Sequence, residues 1–142
     1  MKVTILAAGK IREKELRAVC DDYLGRIQRY VRVREVETKD AETLAASLPT
    51  SDVVVALEVW GKAISSEEFA RKLEVWAQKG KGEITFVIGG AEGIPKELSQ
   101  AAHFHLSLSS MTLPHRLARV FLAEQIYRGL SILRGEPYAR EG

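Results

Sequence analysis

Short apolar runs that alternate with helical patterns constrain the fold of this chain more than any other feature. The runs KVTILAA (2–8), DVVVALEV (52–59) and EITFVIG (83–89) are mostly apolar and rich in β-branched residues, as expected of strands buried on both faces. Between them, apolar residues recur at three- and four-residue spacing, which predicts helices. Strands that alternate with helices favour an α/β fold with a mostly parallel sheet flanked by helices.

The remaining segments continue this alternation. VRVREVE (31–37) predicts a strand with one solvated face, and HFHLSLS (103–109) predicts a fifth strand. The first predicted helix has apolar positions from Leu16 to Ile27, and a short helix follows over about 41–48. The next helix is capped by Ser65 or Ser66, and its apolar side consists of Phe69, Leu73, Val75 and Trp76. Pro95 opens another short helix, and the longest helix runs from Pro114 to about Arg134. No repeat or linker divides the chain, so we predict one domain over 1–142.

The composition narrows the possible classes of protein. Cys20 is the only cysteine, which excludes an internal disulfide and fits a reducing cytoplasm. His103 and His105 share one face of a predicted strand, but the histidines lack zinc-like spacing, so we predict no metal. No apolar run is long enough to span a membrane, and we predict a cytoplasmic protein. A net charge of +2 neither requires nor excludes a nucleic-acid partner.

Three unusual loops follow predicted strands, at the sheet edge where α/β proteins bind ligands. They are LEVWGK (57–62), IGGAEG (88–93) and LSSMTLPH (108–115). The second loop lacks both the G-x-G-x-x-G pattern of dinucleotide sites and the Gly-Lys-Ser/Thr ending of a P-loop. Its adjacent Gly89 and Gly90 indicate a backbone that passes close to a neighbour. From this loop alone, a tight turn and a ligand loop are both open.

The third loop clusters hydroxyl groups before the start of the longest predicted helix. Free N–H groups at that start can hold a polar or anionic ligand, although a single hydroxyl could simply cap the helix. His115 lies in the first turn, where it is either a structural or a functional histidine. A hydrolase pair of Ser110 with His115 lacks the G-x-S-x-G elbow and a third member. The clustered hydroxyls belong to Ser107, Ser109, Ser110 and Thr112.

The longest predicted helix carries two apolar stripes, one with Leu117, Val120, Phe121 and Tyr127 and the other with Leu122, Ile126 and Leu133. Two stripes predict burial on both sides of the helix, either at a subunit interface or inside one core. The polar tail that follows, RGEPYAREG (134–142), is typical of a disordered end, or it could supply side chains to an active site.

The order of LEVWGK, FVIGGAEGIP, LSLSSMTLPHRLARVFLAEQIYRG and a terminal Pro-Tyr resembles the RlmH (YbeA) family of SPOUT methyltransferases, over essentially the whole chain. The resemblance implies an α/β-knot fold with a deep trefoil knot in its C-terminal half, and a homodimer with the cofactor site near the subunit interface. It also implies methyl transfer from S-adenosylmethionine (SAM), without a metal, to N3 of a pseudouridine in helix 69 of 23S rRNA on the assembled ribosome.

The resemblance assigns roles to residues of all three loops and the tail. Leu57 is expected to pack on the adenine of SAM, while Gly89, Gly90 and Gly93 form a knotted cofactor loop. Leu108, Ser109, Ser110, Met111, Thr112 and Leu113 match the third cofactor loop. His115 matches a position near the target base, and Tyr138 and Arg140 match tail residues that contact the substrate; these three are the expected catalytic residues. Ala139 stands where the family tail usually has histidine, whose role would move to His115 or Arg140.

So small a chain must bind RNA with its own surface. The candidate contacts are Lys10, Arg12, Lys14, Arg26, Arg29, Arg32 and Arg34, although most such side chains are simply solvated. Ala139 supports one alternative, a non-catalytic ribosome- or RNA-binding member of the same fold.

Overall fold

In a computed structural model, which describes residues 1–141, five parallel strands form one sheet in the order β2-β1-β4-β3-β5. Gly142, the last residue of the predicted domain, lies outside the described residues. The predicted parallel α/β fold is confirmed, and all strands end at the same edge of the sheet. The strands are β1 (Lys2–Ala8), β2 (Arg32–Thr38), β3 (Val53–Ala63), β4 (Glu83–Ile88) and β5 (Phe104–Ser107).

The helices begin where the sequence places capping residues. Ser65 caps α3, since its hydroxyl accepts a hydrogen bond of 3.1 Å from the backbone N–H of Glu68. Pro95 and Pro114 directly precede α4 and α5. None of the helices within residues 1–141 is both long and apolar enough to cross a membrane. The helices are α1 (Lys14–Ile27), α2 (Ala41–Ala46), α3 (Ser66–Ala77), α4 (Lys96–Ala101), α5 (His115–Leu133) and α6 (Tyr138–Glu141).

Helices cover both faces of the sheet. On one face, α1, α3 and α5 contribute Ile27, Leu73 and Ile126 to a core with alternate strand residues. On the other face, α2 and α4 contribute Leu44 and Leu98. Both faces of the central strands are therefore dry, which explains their continuous apolar runs.

β3 and α3 differ from the sequence prediction in ways that affect the site or the core, β5 is shorter than predicted, and the tail forms the short helix α6. β3 does not end at residue 59 but continues to Ala63, with a register shift because Leu57 and Lys62 both pair with Leu106. Residues 58–61 bulge out of the ladder, and a Cβ at Gly61 would lie only 2.7 Å from the carbonyl oxygen of His105. The predicted burial of Val75 is also wrong, because its position on α3 points away from the sheet and 54% of the residue is exposed.

Candidate functional site

A cavity of about 530 Å³ opens at the carboxyl ends of β3, β4 and β5, beside the first turn of α5. This volume falls in the range of roughly 300–1,000 Å³ that small-molecule sites occupy. The three loops singled out in the sequence form most of its wall, so the fold brings them together. The lining residues shared with the predicted site are Leu57, Gly89, Gly90, Gly93, Leu108, Ser109, Met111, Thr112, Leu113 and His115. Ser110, also predicted for the cofactor, is exposed and does not line this cavity.

Glycine occupies positions 89, 90 and 93 of the second loop for different physical reasons. A Cβ at Gly89 would overlap the backbone of Gly93, and Gly93 has a φ of +77°, in the left-handed region that favours glycine. The N–H of Gly93 donates to the carbonyl of Gly90 at 3.0 Å and closes the turn. A Cβ at Gly90 would only meet the Cβ of Ala8 at 3.6 Å, an ordinary contact. The turn therefore explains Gly89 and Gly93, whereas nothing within the described residues requires glycine at position 90.

The hydroxyls of the third loop shape the loop itself. The Ser107 hydroxyl donates to the carbonyl of Ser109 at 2.9 Å, and the Ser109 hydroxyl accepts from the N–H of Met111 at 3.0 Å. Among the described residues no side chain caps α5, so the N–H groups of its first turn, beside the cavity, have no side-chain acceptor. Within residues 1–141, no hydrogen bond joins Ser110 to His115, and the hydrolase pair is not assembled.

Glu58 and Trp60 are among the residues of the cavity wall that the sequence analysis did not assign to the site. Glu58 is mostly buried, and its carboxylate accepts a hydrogen bond of 2.7 Å from the hydroxyl of Ser99. Trp60 is 67% exposed and lies against the ring of His105, with 4.8 Å between ring centroids. Both belong to the bulge of β3. The signal was present in LEVWGK, but the bulge depends on pairing with β5, which sequence periodicity does not reveal.

The two strand histidines are engaged in local contacts. Nδ1 of His103 accepts a hydrogen bond of 2.9 Å from the N–H of Val54, and Nε2 of His105 lies 2.7 Å from the carbonyl oxygen of Ser99. Among residues 1–141, no group of three or more histidine, cysteine or acidic side chains is arranged to hold a metal ion.

The three predicted catalytic residues do not meet within one chain. His115 lines the cavity at the start of α5, whereas Tyr138 packs on Tyr127, with 4.6 Å between ring centroids. His115 and Tyr127 are twelve positions apart on α5, which is about 18 Å along the helix axis. Arg140 lies on α6 with Tyr138. In a single chain, only His115 therefore belongs to the cavity.

Tyr138 is held firmly on α5. Its hydroxyl donates to the carboxylate of Glu124 at 2.7 Å, and the guanidinium of Arg128 lies 5.0 Å from the centre of its ring. Burial, followed by the hydrogen bonds with Tyr23 and Glu124, raises the pKa of Tyr138. The phenol therefore stays protonated in this position and acts as a hydrogen-bond donor.

A family model described as "Predicted SPOUT methyltransferase" matches residues 1–139. The chain belongs to the SPOUT methyltransferase family. It is 48% identical to a Sorangium cellulosum protein named "Ribosomal RNA large subunit methyltransferase H", over 98% of this chain and 99% of that one. The family membership that the sequence motifs indicated is confirmed.

Solved structures share the fold at low sequence identity. A "probable methylase family protein" from Haemophilus influenzae aligns with a TM-score of 0.59 at 11% identity, over 96% of this chain and 69% of that one. A Legionella pneumophila protein solved with bound SAM aligns with a TM-score of 0.50 at 11% identity, over 89% of this chain and 65% of that one. At such identities, the likeness shows a common fold.

Proposed function

We propose that this SPOUT methyltransferase transfers a methyl group from SAM to N3 of a pseudouridine in helix 69 of 23S rRNA, on the assembled ribosome. The carrying observation is the cavity where the three loops converge, because it gathers all the residues expected to bind the cofactor except Ser110. The name of the Sorangium relative supports a large-subunit rRNA substrate. Such a substrate implies that the protein works in the cytoplasm.

The cavity suits a nucleoside such as SAM. The side chains of Leu57, Leu108 and Leu113 offer apolar contacts for an adenine ring, and the turn at residues 89–93 offers backbone N–H and carbonyl groups for its edges. The fold does not require glycine at position 90, and the space that a side chain would occupy there fits a ligand that lies against the backbone. SAM bound to the Legionella protein of the same fold agrees with this proposal.

In this reaction the main task of the protein is to position the substrates. SAM supplies a methyl group on an electrophilic sulfonium, so the protein needs to align the accepting nitrogen and exclude water. In this proposal His115, which lines the cavity wall, orients the base and accepts the proton that leaves N3. Glu58 presents a carboxylate in the same wall that can accept hydrogen bonds from hydroxyl or ammonium groups.

The tail reaches such a site only from a second copy of the chain. Tyr138 lies far along α5 from His115 within one chain, so the expected contacts of Tyr138 and Arg140 with the substrate require a homodimer. The exposed apolar side chains Met111, Trp60 and Val59 at the cavity mouth suit an interface beside it. The trefoil knot expected from the resemblance belongs to the same proposal.

The deciding experiment is methyl transfer from labelled SAM to intact ribosomes that lack the modification, with the labelled nucleotide mapped by mass spectrometry. We expect label at N3 of a helix 69 pseudouridine. Label on another nucleotide would contradict the proposed target, and binding of SAM without any transfer would contradict the proposed activity. A related enzyme that labels the same ribosomes serves as the positive control.

Binding of SAM without methyl transfer would favour the alternative of a non-catalytic RNA-binding protein. Ala139 is the observation that favours it, because the family tail usually has a histidine there. Replacement of Ala139 with histidine separates the two functions. A gain of transfer in this variant, from an inactive starting protein, would assign the loss of activity to the tail.

A further inference from the structure

The loop between β1 and α1, residues 9–13 (GKIRE), lies at the same sheet edge as the cavity. Its first residue, Gly9, has a φ of +88°, and a Cβ there would lie 3.9 Å from Nε2 of His115. The side chain of Ile11 is buried and anchors the middle of the loop between α1 and α5. The loop is thus a fixed neighbour of the proposed catalytic histidine.

Arg119 of α5 holds the start of this loop from beneath. Its side chain is 1% exposed, and Nη1 donates to the carbonyl oxygen of Gly9 at 3.0 Å. Nη2 pairs with Glu35 at 2.6 Å and also with Glu37, both on β2. A buried guanidinium with these partners fixes β1, β2 and α5 relative to one another at the edge of the cavity.

A second ion pair holds the end of the loop. Glu13 pairs with Arg116, which follows His115 on α5 and lines the cavity. The loop backbone is therefore tied to the first two turns of α5 at both of its ends. Its side chains that point to solvent have a defined place beside the cavity.

Those outward side chains are unpaired cations. Lys10 and Arg12 of the loop, and Lys14 at the start of α1, are exposed and form no ion pair within residues 1–141. The positive charge of Lys14 in the first turn of α1 is unfavourable for the helix dipole, so helix stability does not explain it. Other arginines of the chain are neutralised by acidic neighbours, among them Arg17, Arg26 and Arg128.

The fold separates these three cations from the other candidates for RNA contact. Arg29 and Arg32 lie at the amino end of β2, and a seven-residue strand places that end about 20 Å from the carboxyl edge. Arg34 donates to the hydroxyl of Thr4 at 3.2 Å. Of the seven basic residues considered from the sequence, only Lys10, Arg12 and Lys14 thus combine exposure, lack of a partner among the described residues and a place beside the cavity.

We propose that Lys10, Arg12 and Lys14 form a binding site for the RNA phosphates next to the target nucleotide. This inference rests on the proposed function and adds the surface by which the chain holds its substrate in register. Three cations that project from a rigid loop suit backbone phosphates, which fix the position of an RNA without reading its sequence.

The test compares two triple variants that each remove three exposed positive charges. The loop variant carries Lys10→Ala, Arg12→Ala and Lys14→Ala. The control variant carries Arg29→Ala, Arg32→Ala and Lys79→Ala, all exposed at the opposite edge of the sheet. Both are measured for co-sedimentation with ribosomes across a KCl series, for KM and kcat with ribosomes, for the Kd of SAM and for thermal stability.

We expect the loop variant alone to raise the KM for ribosomes roughly tenfold or more, with the Kd of SAM and the melting temperature unchanged. The slope of log binding constant against log salt should become shallower by about 2, close to the loss of three phosphate contacts. A variant with Lys10→Arg, Arg12→Lys and Lys14→Arg should bind ribosomes like the wild type.

Two results would overturn the inference: a wild-type salt slope in the loop variant, or equal losses in both triple variants. The co-sedimentation readout separates this inference from the proposed function. If the wild type binds ribosomes but transfers no methyl group, the proposed reaction fails, while the difference in slope between the two variants still decides whether the loop contacts phosphate.

Discussion

Single glycines in the second loop distinguish a structural requirement from a ligand requirement. Gly90→Val should keep the fold, because a Cβ at this position meets only Ala8 at an ordinary distance. The added methyl groups should crowd the cofactor and weaken SAM binding roughly ten- to hundredfold. Calorimetric titration with SAM, together with thermal unfolding, measures both effects.

Gly89→Ala provides the contrast, since its Cβ would overlap the backbone of Gly93. This variant should lose thermal stability together with SAM binding. Undiminished affinity of Gly90→Val for SAM would contradict the role assigned to this loop.

Cys20 illustrates how burial alters a single side chain. Burial, followed by the nearby charge of Glu35, raises the pKa of the Cys20 thiol to about 11. The neutral thiol is favoured in the folded state, so its contribution to stability is fully present below about pH 9 and is lost as the pH rises through about 11. At pH 8 we expect Cys20 to react with a thiol reagent about a hundredfold more slowly than a free cysteine. The protein unfolded in urea should react at the normal rate, and a fast reaction of the folded protein would contradict the assigned environment.

At the level of elements, local sequence patterns predicted the strands and helices that local interactions determine. The apolar runs of β1 and β4 predicted buried strands because both of their faces are covered by helices. The bulge of β3 was missed because it depends on pairing with β5, far along the chain. Val75 was predicted to be buried beside Trp76, but one step along a helix rotates the side chain by about 100°, which places Val75 on the exposed side of α3.

The docking of α6 on α5 supports a further prediction. The Tyr138 hydroxyl donates to Glu124 at 2.7 Å and lies 3.5 Å from the hydroxyl of Tyr23. Tyr138→Phe should lower the free energy of unfolding by about 1–2 kcal/mol, since a hydrogen bond to a charged acceptor is lost. Urea denaturation measures this loss. Tyr30→Phe is the matched control, because no described residue hydrogen-bonds to the Tyr30 hydroxyl, and its stability should change little. If Tyr138→Phe instead abolished methyl transfer and left the free energy of unfolding unchanged, the hydrogen bond to Glu124 would not be the main role of the Tyr138 hydroxyl.

At the scale of the whole molecule, the sequence predicted where the loops converge but not how the site is completed. Parallel strands end at one edge of a sheet, so the three loops that follow β3, β4 and β5 were expected to meet, and they form the cavity. The place of Tyr138 depends on how the tail packs back on α5, and no periodic pattern encodes that contact. The expected knot is likewise a property of the complete chain path, which general topology rules disfavour, and it stays a prediction.

The two stripes of α5 lead to a prediction about assembly. Leu122 and Ile126 lie in the core, whereas Leu117 and Phe121, one turn apart on the other stripe, remain exposed. Phe121 is 39% exposed, and Ala118 beside this face lines the cavity, so a second copy that covers the stripe would lie next to the proposed site. We therefore expect light scattering to give twice the chain mass of 15.8 kDa at micromolar concentration.

Phe121→Glu should place an unpaired charge in this interface, weaken dimerisation by roughly a hundredfold and, with it, reduce methyl transfer. Val75→Glu is the matched control, since Val75 is an exposed apolar residue on the outer side of α3, and it should leave the mass unchanged. A wild-type monomer, or dissociation by both variants alike, would contradict the dimer. A monomeric Phe121→Glu with full activity would show instead that one chain carries a complete site, so that Tyr138 and Arg140 of a second copy are not needed.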